Sequence, residues 1–429
     1  MKILIINLGG TSTKVSLMNV AQGSQDAHKL KEGTHGSRSA QDTQAAQCSP
    51  QNQNHCVIKE TIRHNPAEIA KFNDIWEQYA MRRKGIEDFL VRNNLDASAL
   101  DLIITRGPSV KPVISGVFEV NANMIRDAKS GQYGIHVSNL GCVIADDLAK
   151  AQNEQVMPQK KQTVPQDNTP LSRKPKRVLT AAKISPPSSS VGRKPIRVLT
   201  ADLPCVDEMI PIARYTGLPQ IKRHSFFQAL SHKALGRKIA TQLGRPYEEL
   251  SIAITHLGSG ISVASHLYGK VIDITNGIGG ESPFGMDRPG TLPASDWKKL
   301  IQSEDYSKSE LDNMLNGKGG LMAHLKTNDA LEVEDRIDSG DAHAAEVFEA
   351  MAFQVSKALG AASVAMGMRP DAIGITGGLA NSNRFISYIK ARVSWISPIF
   401  VIPDIDEMDA LYEAVMPALS DESLIHNYE

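Results

Sequence analysis

The sequence predicts an α/β fold built from two similar halves. Short apolar runs typical of buried strands alternate with longer stretches of helical periodicity along much of the 429 residues, a pattern that indicates strands covered by helices. Three of the apolar runs lead directly into turns rich in Gly, Ser and Thr, at 7–12, 256–262 and 376–380. Two of these turns lie at hairpin tips in opposite halves, which suggests duplicated domains that clamp a ligand between them.

The individual elements follow from the hydrophobic periodicity and the positions of Gly and Pro. Strands are predicted at 2–6 and 15–18 (a hairpin), 102–105, 251–255, 261–266 with 271–274 (a second hairpin), and 372–375. Helices are predicted at 67–91, 139–149 and 344–366.

Two segments break this pattern. Residues 21–56 contain Leu30 as their only large apolar side chain, so we expect a disordered loop that cannot offset its ordering entropy. Residues 151–193 are rich in Pro, Ser, Gln, Lys and Arg, and the sequence at 174–181 recurs almost unchanged at 194–201. This is best explained by a tandem duplication, and we expect the second copy to form the strand that leads into Asp202.

Composition excludes several functional classes. Lys+Arg and Asp+Glu number 47 each, so no global field favours nucleic acid or an anionic membrane. The basic insert could attract a polyanion, but a solvated insert is the favoured interpretation. No apolar run reaches about 18 residues and no signal peptide is evident. Four cysteines do not form a disulfide framework, and we expect a cytoplasmic protein.

The Gly-rich turns have the chemistry of phosphate-binding sites, because their backbone N–H groups can approach phosphate oxygens closely. The P-loop signature is absent, as is a dinucleotide fingerprint that opens a helix, so a nucleotide site of another kind is indicated. Arg106 and Arg288 lie in loops and could grip oxyanions with their planar forks, although either could be an ordinary surface Arg. His256 could donate to a phosphate or serve as a core histidine.

Several motifs together resemble the acetate and butyrate kinases of the actin/hexokinase/heat-shock ATPase superfamily, and the butyrate kinases more closely. The three turns carry the resemblance first, at Asn7 to Lys14, His256 to Val263 and Ile375 to Ala380. Further matches are Arg106-Gly107 with Lys111-Pro112, Ser138 to Gly141, Asp202 with 206–208, Gly280 to Phe284, Gly319 to Leu321, Thr327 to Asp329, and Asp406 to Met408.

The resemblance implies two ribonuclease-H-like domains (an actin-like ATPase fold) with an ATP cleft between them. Residues 1–202, with inserts at about 21–56 and 151–193, would form the first domain, completed by a C-terminal helix at about 404–429. Residues 203–403 would form the second, nucleotide-binding domain. The resemblance also implies a homodimer or higher homo-oligomer.

By the same resemblance, the reaction is transfer of the γ-phosphoryl group of ATP to a short-chain carboxylate such as butyrate, with Mg²⁺. The implied catalytic residues are Asn7, Arg106, Gln228 and Arg288, and the implied metal ligands are Asp202, Asp406 and Glu407. The implied cofactor-binding residues are Gly9, Thr11, Ser12, Lys14, His256, Gly258, Ser259, Gly260, Asp329, Gly377 and Gly378. Phe227 is placed to line an acyl pocket or to serve as ordinary core.

Three positions depart from the family pattern. Gly10 stands where Ser is usual, Gln228 where His is usual, and Pro289 where a small residue is usual. Loss of one donor to a transferring group typically lowers the rate by ~10²–10³. We therefore keep open an alternative to the active kinase, namely a nucleotide-binding homologue with impaired or absent catalysis.

Overall fold

The computed structural model describes residues 1–20, 55–156 and 194–429. The described strands are β1 (Lys2–Gly9), β2 (Ser12–Val20), β3 (His55–Arg63), β4 (Leu102–Thr105), β5 (Val117–Glu119), β6 (Arg197–Ala201), β7 (Ser251–Leu257), β8 (Ile261–Leu267), β9 (Lys270–Ile274), β10 (Ala372–Thr376), β11 (Ile399–Val401) and β12 (Ile425–Asn427). The described helices are α1 (Pro66–Ile69), α2 (Tyr79–Arg92), α3 (Ala122–Ser130), α4 (Val137–Val156), α5 (Ala229–Leu243), α6 (Ala294–Gln302), α7 (Lys308–Leu315), α8 (Gly320–Leu325), α9 (Ala330–Asp338), α10 (Ala342–Ala365), α11 (Asn383–Val393) and α12 (Glu407–Ser420).

The strands form two sheets with the same core topology. The first has the order β12-β5-β6-β4-β1-β2-β3 and the second β11-β10-β7-β8-β9. In each, an antiparallel meander (β1-β2-β3 or β7-β8-β9) is extended beside its first strand by parallel strands, β4 and β6 or β10 and β11. The duplication expected from the Gly-rich turns is therefore present in the topology.

Strand β1 is apolar along nearly its whole length because both of its faces are covered. Alternate side chains point to opposite faces of a strand. Leu4 and Ile6 therefore pack with residues of α2 and α4, whereas Ile3 and Ile5 pack with residues of α12.

Helix α5 connects the two halves. Its residues Leu230 and Ala234 join the cluster around α12 and the first sheet. Leu235 and Ile239 pack instead with Ile252 and the rest of the cluster on the second sheet. Although α12 and β12 follow the second sheet in the chain, both lie on the first sheet. The domain boundaries at 1–202, 203–403 and 404–429 stay predictions.

The predicted strands are confirmed, including the second copy of the repeat, which forms β6. The continuous helix predicted at 67–91 is wrong, because the chain is not α-helical between Ile69 and Tyr79. The Asp74 carboxylate accepts hydrogen bonds from the N–H groups of Trp76 and Glu77, a local alternative to helical bonding.

The inserts are smaller than predicted. Helix α4 continues to Val156 and β3 begins at His55, so residues at the edges of both segments belong to regular structure. The remainder of the two inserts, with the first copy of the repeat, lies outside the described residues. Within the described ranges, no helix is both long and apolar enough to cross a membrane.

We expect Leu411→Ala to lower the free energy of unfolding by about 2–5 kcal/mol, because it leaves a cavity where α12 packs on the first sheet. Leu411 has no exposed surface, whereas Leu331 on α9 is 71% exposed. Leu331→Ala is the matched control and should change the value by less than about 0.5 kcal/mol. Urea unfolding measures both variants, and equal effects would contradict the packing described for α12.

Candidate active site

Three predicted site residues lie at neighbouring strand ends of the first sheet. Strands β1, β4 and β6 are parallel neighbours, so their carboxyl ends meet at one edge. Asn7 lies near the end of β1, while Arg106 and Asp202 directly follow β4 and β6. Ligands of open α/β sheets bind outside the carboxyl ends of the strands.

The second sheet presents its own turns in the same way. His256 on β7 is paired with Thr376, the last residue of β10, so that Gly377 follows beside the end of β7. Gly377 has a φ of +96°, and a Cβ there would lie 2.5 Å from the carbonyl oxygen of Leu257. Only glycine fits this turn without strain.

The turn between β1 and β2 contains Gly9, Gly10, Thr11 and Ser12. Lys14 on β2 is the cross-strand partner of Asn7, and its charge adds a smaller effect to that of Arg106 in lowering the pKa of Glu407. A Cβ added to Gly10 would meet no atom within 4 Å. The absence of a serine there is therefore not enforced by crowding.

The loop that carries Arg288 is held by close backbone contacts. The N–H of Gly285 donates to the carbonyl of Arg288, and that of Met286 donates to the carbonyl of Ser259 in the second Gly-rich turn. A Cβ on Gly260 would lie 3.1 Å from Cδ of Arg288. The Arg288 side chain therefore packs against Gly260 of the second Gly-rich turn.

Four predicted residues meet in one hydrogen-bonded cluster. Asn7 Nδ2 donates to Oε2 of Glu407 at 2.5 Å, and Arg106 Nη1 donates to the same oxygen at 3.3 Å. Arg106 Nη2 donates to Oε1 of Gln228, which directly precedes α5. Burial alone would raise the pKa of Glu407, but Arg106 and the bond from Asn7 outweigh it and lower the pKa. Glu407 is therefore an ionised carboxylate.

His136 belongs to the same site but was not predicted from the sequence. It directly precedes α4, and its Nδ1 accepts from the N–H of Ser138 at 3.2 Å, which leaves the proton on Nε2. The pKa of His136 is lowered to about 4, although the residue is solvent-exposed. The largest cause is desolvation by the surrounding atoms. The charge of Arg106 lowers the pKa further, and the charge of Arg288 has a smaller effect in the same direction. The sequence signal that could have identified His136 is its position beside the Gly134 turn and just before a long helix.

His256 is backed by two further histidines that are fully buried. Desolvation lowers its pKa to about 4, and its buried Nδ1 has no hydrogen-bond partner in the described part of the chain. His232 stacks beside it and bonds through Nε2 to Ser262 Oγ at 2.9 Å. His232 Nδ1 contacts His266 Nε2, and His266 Nδ1 contacts Tyr247 OH at 2.6 Å. The cluster links the second sheet's interior to its Gly-rich turn.

The three predicted metal ligands occupy different environments. Asp202, with a φ of +44°, accepts from Ser115 Oγ at 2.7 Å and pairs with Arg237. Glu407 lies in the cleft. Asp406 caps α12 and pairs with Lys59 at 2.7 Å on an exposed surface. The side chains of Asp406 and Glu407 therefore have different partners, and only Glu407 bonds with Asn7 and Arg106.

The cleft fits Mg²⁺ in its donor chemistry. Within the described ranges, no three His, Cys, Asp or Glu side chains form a metal cluster. Mg²⁺, however, usually takes one or two carboxylates and completes its shell with water and substrate phosphates. Glu407 is ionised, and Asn7 Oδ1 beside it is a buried acceptor that no described residue pairs with. A bound ion is one of the groups that can satisfy a buried acceptor of this kind.

Two other predictions receive structural roles. Asp329 is exposed and caps α9, where it accepts from the N–H of Leu331 at 2.9 Å. Phe227 is buried and packs edge-on against His232. Gly378 has open space where a Cβ would lie. Roles of Asp329 and Gly378 near an adenosine, and of Phe227 in an acyl pocket, stay predictions.

Known proteins resemble this chain over most of its length. The acetokinase family model matches residues 210–393. Two proteins named probable butyrate kinase, from Listeria welshimeri and Listeria innocua, are each 37% identical over 364 residues, which cover 85% of this chain and 91% of each relative.

Solved structures agree on the fold. Acetate kinase from Porphyromonas gingivalis superposes with a TM-score of 0.63 at 15% identity, over 97% of this chain and 99% of that chain. A propionate kinase from Francisella tularensis gives 0.62 at 17% identity, over 96% and 98%. These likenesses confirm the two-domain actin-like ATPase fold.

The histidine cluster predicts loss of stability in acid. Burial holds the pKa of His232 and of His266 well below the ordinary 6.5. As pH falls below about 6.5, the unfolded chain binds protons that the folded chain excludes, so the free energy of unfolding falls.

We expect His266→Gln to reduce the loss between about pH 7.5 and about pH 5 by on the order of 1 kcal/mol, because Gln does not titrate. Urea unfolding at the two pH values measures the difference, with His343→Gln on the exposed start of α10 as control. An unchanged pH dependence in His266→Gln would show that the buried cluster is not its source.

Proposed function

Because this chain belongs to the acetokinase family, we propose that it is a carboxylate kinase that transfers the γ-phosphoryl group of ATP to butyrate. The family supports ATP, a divalent metal ion and a carboxylate acceptor. The observation that carries the proposal is the cluster of Asn7, Arg106, Gln228 and Glu407, where side chains from both halves converge. The comparisons give no support to the alternative of a homologue without catalysis.

Arg106 and Arg288 bind the acceptor carboxylate in this proposal. A carboxylate is already ionised at neutral pH and needs no general base. Its repulsion from the triphosphate is the main obstacle, and two guanidinium groups reduce it directly. The contacts between the Arg288 loop and the second Gly-rich turn support this role, because they fix the side chain close to a phosphate-binding surface.

Two of the three Gly-rich turns hold the phosphates of ATP, with Gly9, Thr11 and Ser12 on one side and Gly258, Ser259 and Gly260 on the other. His256 donates one hydrogen bond to a phosphate as a neutral imidazole, because its pKa of about 4 keeps it uncharged. Lys14 adds positive charge opposite Asn7. Gly377, Gly378 and Asp329 remain the proposed adenosine side.

Glu407 and Asp202 would hold Mg²⁺, and the bound ion would neutralise charge on the transferring phosphoryl group. Asp406 supports the start of α12 through its capping bonds to Met408 and Asp409. Asp406 would therefore orient Glu407, and direct coordination of Mg²⁺ by Asp406 stays a sequence-based prediction.

The single side-chain amide of Gln228 has two polar atoms with different tasks. Its carbonyl oxygen accepts from Arg106, which orients the guanidinium. The amide nitrogen is then free to donate to the transferring phosphoryl group, although without the charge that an imidazolium would carry. We further propose a cytoplasmic homodimer, as in the sequence-based expectation.

Purified protein incubated with ATP, Mg²⁺, hydroxylamine and one acid tests the proposal, because hydroxylamine traps acyl phosphates as hydroxamates. Across acetate, propionate, butyrate and isobutyrate, we expect the highest kcat/KM with butyrate. Hydroxamate formation with acetate or propionate as the best substrate would overturn the butyrate assignment. Background values with all four acids, with ATP still bound, would overturn the kinase activity itself.

We expect Gln228→His to raise kcat with butyrate about tenfold, because a charge-assisted hydrogen bond to the transferring phosphoryl group is stronger than a neutral one. Gln302→His, at the exposed end of α6, is the control and should leave kcat unchanged. A decrease in Gln228→His would show that the bond from Arg106 to the Gln carbonyl matters more than charge. The hydroxamate assay measures both variants.

A further inference from the structure

Arg82 is a buried cation, and no carboxylate among the described residues pairs with it. Its side chain, on α2, has no exposed surface and is the largest fully buried side chain in the described part of the chain. Nε donates to Oε1 of Gln78 at 2.9 Å. The remaining bonds go to the turn between β1 and β2: Nη2 to the carbonyl of Gly10 at 2.6 Å, and Nη1 to the carbonyl of Ser12 at 3.0 Å and to Thr13 Oγ1 at 3.3 Å.

Stability alone does not account for this arrangement. Burying a cation costs several kcal/mol, and a well-packed apolar side chain often replaces a buried charge without loss. All the acceptors given above are neutral. Burial lowers the pKa of Arg82 only to about 10, so the side chain keeps its charge at neutral pH.

The bond to Gly10 fixes the direction of a backbone donor. In a planar trans peptide the C=O and the following N–H point in opposite directions. Because the Gly10 carbonyl points at the buried guanidinium, the N–H of Thr11 points away from it. Thr11 is exposed, so this donor faces the outer side of the turn, where an anion can reach it.

The charge itself acts through the turn. A cation in the low-dielectric interior interacts more strongly with a nearby anion than an exposed one does. The neighbouring His64 reports this field: burial lowers its pKa first, and the charge of Arg82 lowers it further.

We propose that Arg82 is a positioning residue for the phosphates of ATP, which fixes the backbone of the turn at 9–13 and places a buried positive charge behind it. This rests on the function proposed above. Helix α2 thereby takes part in nucleotide binding, through the bonds from Arg82 to the backbone of the turn.

The test compares full-length Arg82→Met and Arg82→Lys with wild type, and uses Arg83→Met as a matched control. Arg83 is adjacent on α2 and pairs with Glu87 near the surface. We expect Arg82→Met to raise KM for ATP by about tenfold or more, as for loss of charged hydrogen bonds, with KM for butyrate changed less than about twofold. Arg82→Lys keeps the charge and should recover part of the ATP affinity.

A purely structural role predicts a different result. In that case Arg82→Met would lower the melting temperature but, assayed where it is folded, would keep the wild-type KM for ATP. That result, or an equal rise in both KM values, would overturn the inference. If Arg82→Met does not fold, Gln78→Met removes the acceptor for Nε of Arg82 and should raise KM for ATP severalfold. An unchanged KM for ATP in Gln78→Met would also overturn the inference.

The proposed kinase activity and the proposed role of Arg82 can be overturned separately. Wild-type protein without hydroxamate formation and without stabilisation by ATP in a thermal melt would overturn the proposed kinase. Active wild-type protein with Arg82 variants that behave like Arg83→Met would overturn only the role of Arg82.

Discussion

Glu407 accepts hydrogen bonds from Asn7 and Arg106, and thereby ties the first residue of α12 to the ends of β1 and β4. The packing of α12 on the first sheet sets the position of Glu407, because Met408 and Leu411 pack with Ile3 and Ile5. The apolar register of one helix therefore decides which carboxylate enters the cleft. Asp406, one residue earlier, is directed to the helix start and to Lys59 instead.

The charged side chains of the candidate site pair partly with one another. Arg106 contacts both Gln228 and Glu407, while Asp202 is held by Ser115 and Arg237. In the proposed kinase, anionic substrates would exchange with these internal partners, and the internal bonds would keep the side chains ordered before substrates arrive. Preorganised donors avoid the reorganisation that water would require when charge develops. The neutral His256 adds a donor without adding a competing charge.

Much of the fold could be predicted because strands such as β1 are buried on both faces and therefore read as unbroken apolar runs. The Gly-rich turn after β10 could be predicted because the positive φ of Gly377 and its close approach to Leu257 restrict that position to glycine. Arg82 could not, because its contacts with Gly10 join positions 72 residues apart and a basic pair in a helix usually indicates a solvated face. The interruption between α1 and α2 depends on local carboxylate bonds that compete with helical periodicity. Adjacent carboxylates at 406 and 407 could not be distinguished without the packing of α12.

The placement of α12 also affects the order in which the chain can fold during synthesis. The face of the first sheet that carries Ile3, Ile5 and Leu199 is covered by residues of α12, which the ribosome makes only after the whole second sheet. Synthesis proceeds at about 5–20 residues per second, so this face of the sheet stays uncovered by α12 for on the order of tens of seconds. The second half can bury its own sheet first, so the nascent chain completes its halves in the reverse of their order in the gene.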